Sequence, residues 1–179
     1  MLNKKNVFVL AVGAALVGLL GIAAANEDQQ QYKLAGGFIG NNGAGNIWNA
    51  LQIRLDPARR TAALRVNLTT YNAEFAGLLT AFGADAVSDW VGEVTMISRD
   101  TAKYRSVAYA TFGDPTQLCA ILVMNGTVQF TGPDNITVNY TVDVYPAWAD
   151  GNHDGYPDPG EVPVVSIPGQ DYASRVRMP

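Results

Sequence analysis

Between Asp150 and Glu161 the chain concentrates oxygen-bearing side chains at a regular spacing: Asp150, Asn152, Asp154, Asp158 and Glu161, with Gly155 and Tyr156 among them. Calcium is a hard cation that takes about six to eight oxygen ligands from a loop curling round it. The matching loop offers oxygens at its first, third, fifth, seventh, ninth and twelfth positions, with glycine at the sixth for a sharp turn. Counted from Asp150, those positions hold Asp150, Asn152, Asp154, the backbone carbonyl of Tyr156, Asp158 and Glu161, and the sixth is Gly155. Glu161 would bind with both oxygens, and Asp158 directly or through water. The competing reading is an acidic surface turn, since Asp, Asn, Gly and Pro also serve turn geometry without metal. His153, the only histidine, falls on a non-ligand position and is expected to face solvent.

Every slot of this twelve-residue pattern holds an acceptable residue, so the loop resembles the EF-hand calcium loop. Its flanks do not. A strand ending in Pro146 precedes it and Pro163 follows, which disfavours the helices of a full hand. Pro157 stands where paired hands place an apolar residue. The segment is similar to the isolated Asp-rich calcium loops of dockerin and thrombospondin type 3 repeats, without their tandem copies and without the dockerin helices. The resemblance covers residues 150–161 only, and it implies calcium as the cofactor.

Other chemistry is thinly represented. With one His and one Cys, Cys119, the Ser-His and Cys-His arrangements of nucleophilic catalysis are nearly excluded. Cys119 lies in the apolar run 118–124 and is expected to pack as a small apolar residue. It has no disulfide partner in the chain. The acids Glu74, Asp85, Asp89, Glu93 and Asp100 would allow a carboxylate-based hydrolase, but their spacing does not set them apart from surface acids. The expectation is a non-enzymatic protein. Trp48, Trp90 and Trp148 suit either a ligand site or core packing. The glycine-rich stretch from Gly36 to Gly45 lacks the lysine of a phosphate loop and is expected to be a loop between the first two strands. Asn67, Asn125, Asn135 and Asn139 begin glycosylation sequons, which matter only in a eukaryotic secretory pathway.

The elements that must carry the loop are mostly strands. Ile136, Val138, Tyr140, Val142 and Val144 alternate with polar residues over 135–145, the period of a strand with one buried face. Residues 51–55 and 62–69 repeat the theme across Asp56-Pro57. Residues 90–98 and 104–112 do so across 99–101. Residues 118–124 and 127–131 flank Asn125-Gly126, a favoured hairpin pair. Phe75, Leu78, Leu79 and Phe82 have helical spacing, with Asn72 to cap the start and Gly83 to end it. The prediction is an all-β fold: an antiparallel meander of about eight or nine strands with one short helix, closed or nearly closed into a barrel of lipocalin-like architecture. A two-layer β-sandwich is the alternative. A barrel of this size can also hold one small apolar ligand, the second functional expectation.

Residues 1–25 have the pattern of a secretory signal: Lys4 and Lys5, an apolar run over 7–25, and small residues at Ala23 and Ala25. An uncleaved membrane anchor is the alternative, and no Cys near Ala25 suggests a lipid-modified terminus. Residues 26–31 read as a leader, 32–168 as one β domain containing the 150–161 loop, and 169–179 as a C-terminal tail. Export to the periplasm or medium is expected. Without Lys4 and Lys5, the 12 basic residues fall to 10 against 16 acidic ones, a net charge of −6. An acidic chain without a basic cluster argues against nucleic acid and against an anionic membrane surface as partners. The sequence names no protein partner.

Overall fold

The computed structural model describes residues 37–41, 47–56, 61–70 and 73–176. The expected signal segment and leader lie outside the described residues.

Among the described residues, nine antiparallel strands follow one another: β1 (Gly37–Asn41), β2 (Ile47–Asp56), β3 (Thr61–Thr70), β4 (Ala86–Val87), β5 (Trp90–Met96), β6 (Thr101–Phe112), β7 (Asp114–Phe130), β8 (Asn135–Pro146) and β9 (Val165–Arg175). Helix α1 (Ala73–Ala81) separates β3 from β4. The sheet order is β4-β6-β5-β3-β2-β1-β9-β8-β7, and β6 also pairs with β7. Eight strands therefore close a ring, with the two-residue β4 alongside β6. β1 supplies the last seam by pairing with β9 through Phe38↔Arg175 to Asn41↔Tyr172. Closure removes the sheet edges that would otherwise template aggregation. The barrel is the expected architecture, and the sandwich is set aside.

The inward faces form two continuous apolar clusters. One joins Phe38, Ala62, Val94, Met96, Ala102, Tyr104, Phe130, Ile136, Val138 and Ala173. The other joins Trp90, Ala108, Ala110, Ala120, Leu122, Val142 and Val144 to Leu79 of the helix, with Phe75, Leu78 and Phe82 packed against it. The helical spacing of those four apolar residues thus stops one end of the barrel. Gly83, at φ 71°, ends the helix as expected, because that left-handed conformation carries no Cβ penalty in glycine.

In the middle of the barrel, tyrosine alternates with glycine around the wall. The register sets Tyr104 opposite Gly126, Gly126 opposite Tyr140, and Tyr140 opposite Gly169. A Cβ on Gly126 would come within 2.8 Å of Tyr104 Cε1, and one on Gly169 would collide with the Tyr140 ring. Each ring lies over the glycine of the next strand. The phenol of Tyr104 donates to Met124 Sδ at 3.2 Å, and that of Tyr140 to Asp171 Oδ1 at 3.3 Å. Burial pushes the Tyr104 phenol far above its usual range, assisted by Tyr140 and Asp171.

Three expectations need correction. Asn125-Gly126 is not a turn: β7 runs unbroken from Asp114 to Phe130. Gly126 is absent from the positive-φ glycines, which are Gly83, Gly113, Gly155 and Gly160. It serves the close approach of Tyr104 and of the Asn139 carbonyl instead. The expected tail at 169–179 is, as far as Arg175, the second half of β9. There Asp171 and Ala173 are buried between exposed Gln170, Tyr172 and Ser174, a strand pattern obscured by Pro168-Gly169. Pro168 falls in the half of β9 whose register runs with β8 alone, where a missing N–H is tolerated. Part of the glycine-rich stretch, Gly37–Asn41, is β1 itself, and the rest of the expected loop, 42–46, lies outside the described residues.

At the surface, Asp89 gathers Asn67 and Arg65 at 2.6 and 2.5 Å. These two, Asn67 foremost, hold its carboxyl below the usual carboxylate range. The acid is thus engaged in an ordinary surface ion pair.

Candidate metal centre

The 150–161 loop lies on the outer wall, in the connection from β8 to β9. A 3₁₀ turn over Ala147–Ala149 carries the chain from Pro146 into Asp150. Ala149 and Asp150 are buried, and Asp150 is only 7% exposed. The wall beneath is apolar: Val107, Ile121 and Val123 face outward yet are buried, with Tyr109 and Tyr145 packed against them. Two contacts fasten the loop above them. The Tyr109 hydroxyl donates to the Gly155 carbonyl at 3.1 Å, and the Arg105 guanidinium lies over the Tyr156 ring at 5.3 Å.

Inside the loop the acids fold the backbone around themselves. Asp150 Oδ1 accepts from the Asp154 N–H at 3.0 Å and Oδ2 from the Gly155 N–H at 2.9 Å. Asn152 Oδ1 accepts from the same Asp154 N–H at 2.9 Å, and Asp154 Oδ1 from the Tyr156 N–H at 2.9 Å. Asp158 Oδ2 accepts from the Gly151 N–H at 3.1 Å, tying the ninth position back to the second. Gly155, at φ 88°, makes the sharp turn expected of the sixth position. A Cβ there would also stand 2.6 Å from the Tyr109 hydroxyl, so two constraints require glycine.

The loop therefore draws Asp150, Asn152, Asp154, Tyr156 and Asp158 into one curl. Glu161 joins it through its backbone, its N–H donating to the Asp158 carbonyl at 3.1 Å. Asn152, Asp154 and Glu161 are exposed. Among the described residues, no three acid, His or Cys side chains gather closely enough to form a metal-sized group. His153 is exposed at φ 58° and contributes a turn.

Two observations bear on whether these residues fit a cation. First, Asp158 Oδ1 is fully buried and has no hydrogen-bond partner among the described residues; a buried carboxylate oxygen without a partner is costly. Second, residues 150–161 carry four carboxylates and no Lys or Arg. A carboxylate offers about four lone-pair positions, so Asp150, which accepts two N–H bonds, can still coordinate. An oxygen-only, anionic donor set suits a hard cation, calcium in particular. The field of these acids also reaches Tyr109, whose phenol is raised by burial first and then by Tyr156, Asp150 and Asp154.

The sequence did not disclose the residues that hold the loop. Arg105, Tyr109 and Tyr145 alternate on the solvent side of their strands. One signal was available: 118–124 is apolar without alternation, the mark of a strand buried on both faces. Something had to cover its outer side.

Fold and loop together define a closed antiparallel barrel that carries an acidic clasp on its outer wall. No family model matches the chain, and no curated protein matches it. A solved structure described as EF1p2_mFAP2b bound to DFHBI is similar at 12% identity and a TM-score of 0.45, over 81% of this chain and 95% of that one.

Proposed function

We propose that the protein is an exported, non-enzymatic barrel whose β8–β9 connection holds one structural calcium ion. The buried, unpartnered Asp158 Oδ1 within a cation-free loop of four acids carries this reading. Asp150, Asn152, Asp154, the Tyr156 carbonyl, Asp158 and Glu161 supply the oxygens. The ion neutralises their mutual repulsion and fastens the connection over Val107, Ile121 and Val123. Export is supported by the signal pattern at 1–25, and it would place the site in a calcium-rich medium, where weak sites suffice. Extracellular modules bind with Kd of about 10⁻⁴–10⁻³ M. At ten times Kd the ion adds about 1.4 kcal/mol, which for a chain of this size is a rise in Tm of about 3–6 °C. Thermal melts of the full chain should show that rise with millimolar calcium and much less with magnesium, which demands a stricter octahedron. Equal melts with and without calcium would mean that the loop holds no such ion.

A second reading, a carrier of a small apolar ligand, is supported by the barrel interior. Leu64, Val66, Met124, Val128 and Tyr140 face inward and are only partly buried.

A further inference from the structure

Among the described residues, two buried polar groups of the inward face have no hydrogen-bond partner. Trp90 is 1% exposed and Ser106 is 0% exposed. Yet Trp90 Nε1 and Ser106 Oγ have no hydrogen-bond partner among the described residues. They are neighbours. Ser106 is paired with Gly92 across β5 and β6, and Trp90 precedes Gly92 by two residues on the same face of β5.

Burying an indole N–H and a hydroxyl without partners is unfavourable, and such groups are normally satisfied in native proteins. Phe in place of Trp, or Ala in place of Ser, would fill the same apolar layer at no such cost. The surroundings favour an occupant. Ser106 is paired with Met124 across β6 and β7, and Tyr104 and Tyr140 stand at the next inward level of the same wall, on either side of Gly126 in the register. Leu64 and Met124 line the level of Ser106, Val66 that of Trp90, and Tyr140 the level beyond; all four face inward and are only partly buried.

We infer that the interior binds a small molecule with an apolar, aromatic body and one hydrogen-bond acceptor of the carbonyl type, and that the acceptor is met by the Trp90 N–H and the Ser106 O–H. This rests on the carrier reading and is independent of calcium. The indole N–H is a donor only and the hydroxyl can donate, so the pair selects an acceptor. The tyrosine faces, the Met124 thioether and the aliphatic side chains select the body.

A matched pair of probes tests both levels: propiophenone and propylbenzene, which differ by a carbonyl in place of a methylene, titrated into the full chain by calorimetry. Propiophenone should bind about tenfold more tightly, the worth of a buried hydrogen bond. That advantage should vanish in Ser106→Ala and shrink in Trp90→Phe, while propylbenzene binds all three alike. Ser106→Ala should also unfold at a higher temperature than wild type without ligand, whereas a structural hydroxyl would make it melt lower. Equal binding of the two probes, unaffected by either substitution, overturns the inference and leaves the carrier reading standing. Failure of both probes to bind overturns both, with water as the partner of the two groups.

Discussion

Gly92→Ala is expected to cost about 3 kcal/mol, a large share of the roughly 5–15 kcal/mol that stabilises a domain. Its Cβ would overlap the Arg105 carbonyl and stand 2.6 Å from Ser106 Cα and 2.8 Å from Ser106 Cβ. Two of these are backbone atoms of the paired strand, so no rotamer change relieves the contact. β5 and β6 would have to part where Gly92 is paired with Ser106. Replacing glycine ordinarily gains about 0.4–1 kcal/mol by reducing the entropy of the unfolded chain, and here the clash exceeds that gain. Gly77, on the exposed side of α1, has nothing within 4 Å of its would-be Cβ. Gly77→Ala should therefore stabilise by about 0.5–1 kcal/mol. Urea unfolding of the two variants beside wild type reads both signs. A Gly92→Ala chain as stable as wild type would mean that the strands are not paired as described.

Asp150→Ala is expected to destabilise by about 2–3 kcal/mol even without added metal, since it strips the acceptor from the Gly155 N–H and one of the two acceptors, the other being Asn152 Oδ1, from the Asp154 N–H. The consequence reaches beyond the loop. Gly155 is the point at which Tyr109 holds the connection to the wall, so its release should uncover Val107, Ile121 and Val123. Increased binding of a hydrophobic dye and faster amide exchange along β6 and β7 would accompany the loss. Asp154→Ala removes one side-chain acceptor in an exposed position and should cost less than 1 kcal/mol without metal. Equal losses from the two substitutions would contradict the unequal roles assigned to them.

What could be read from the residues was whatever is local. β5, β6, β8 and the β2–β3 pair announce themselves by alternation, and α1 by its four apolar residues and Gly83. The calcium-type spacing is local too, as is the turn at Gly155. What escaped depends on neighbouring strands. Asn125-Gly126 has the composition of a hairpin, but Gly126 is there because the Tyr104 ring arrives from one side and the Asn139 carbonyl from the other. Asp171 was placed in a tail because Pro168-Gly169 interrupts the pattern, while Gly169 makes room for Tyr140. Nothing in one strand states which ring will cross it. The loop's support by Tyr109 and Arg105 was hidden likewise, since its partners come from a strand more than forty residues away in sequence.

The proposed calcium ion in the β8–β9 connection can be sought in solution. Calorimetric titration of the full chain with calcium tests it most directly, with Asp150→Ala as the matched control. A single site with Kd of about 10⁻⁴–10⁻³ M is expected in wild type and not in the variant. No heat with millimolar calcium in wild type, or identical heats in the two proteins, would contradict it and return residues 150–161 to the role of an acidic surface turn.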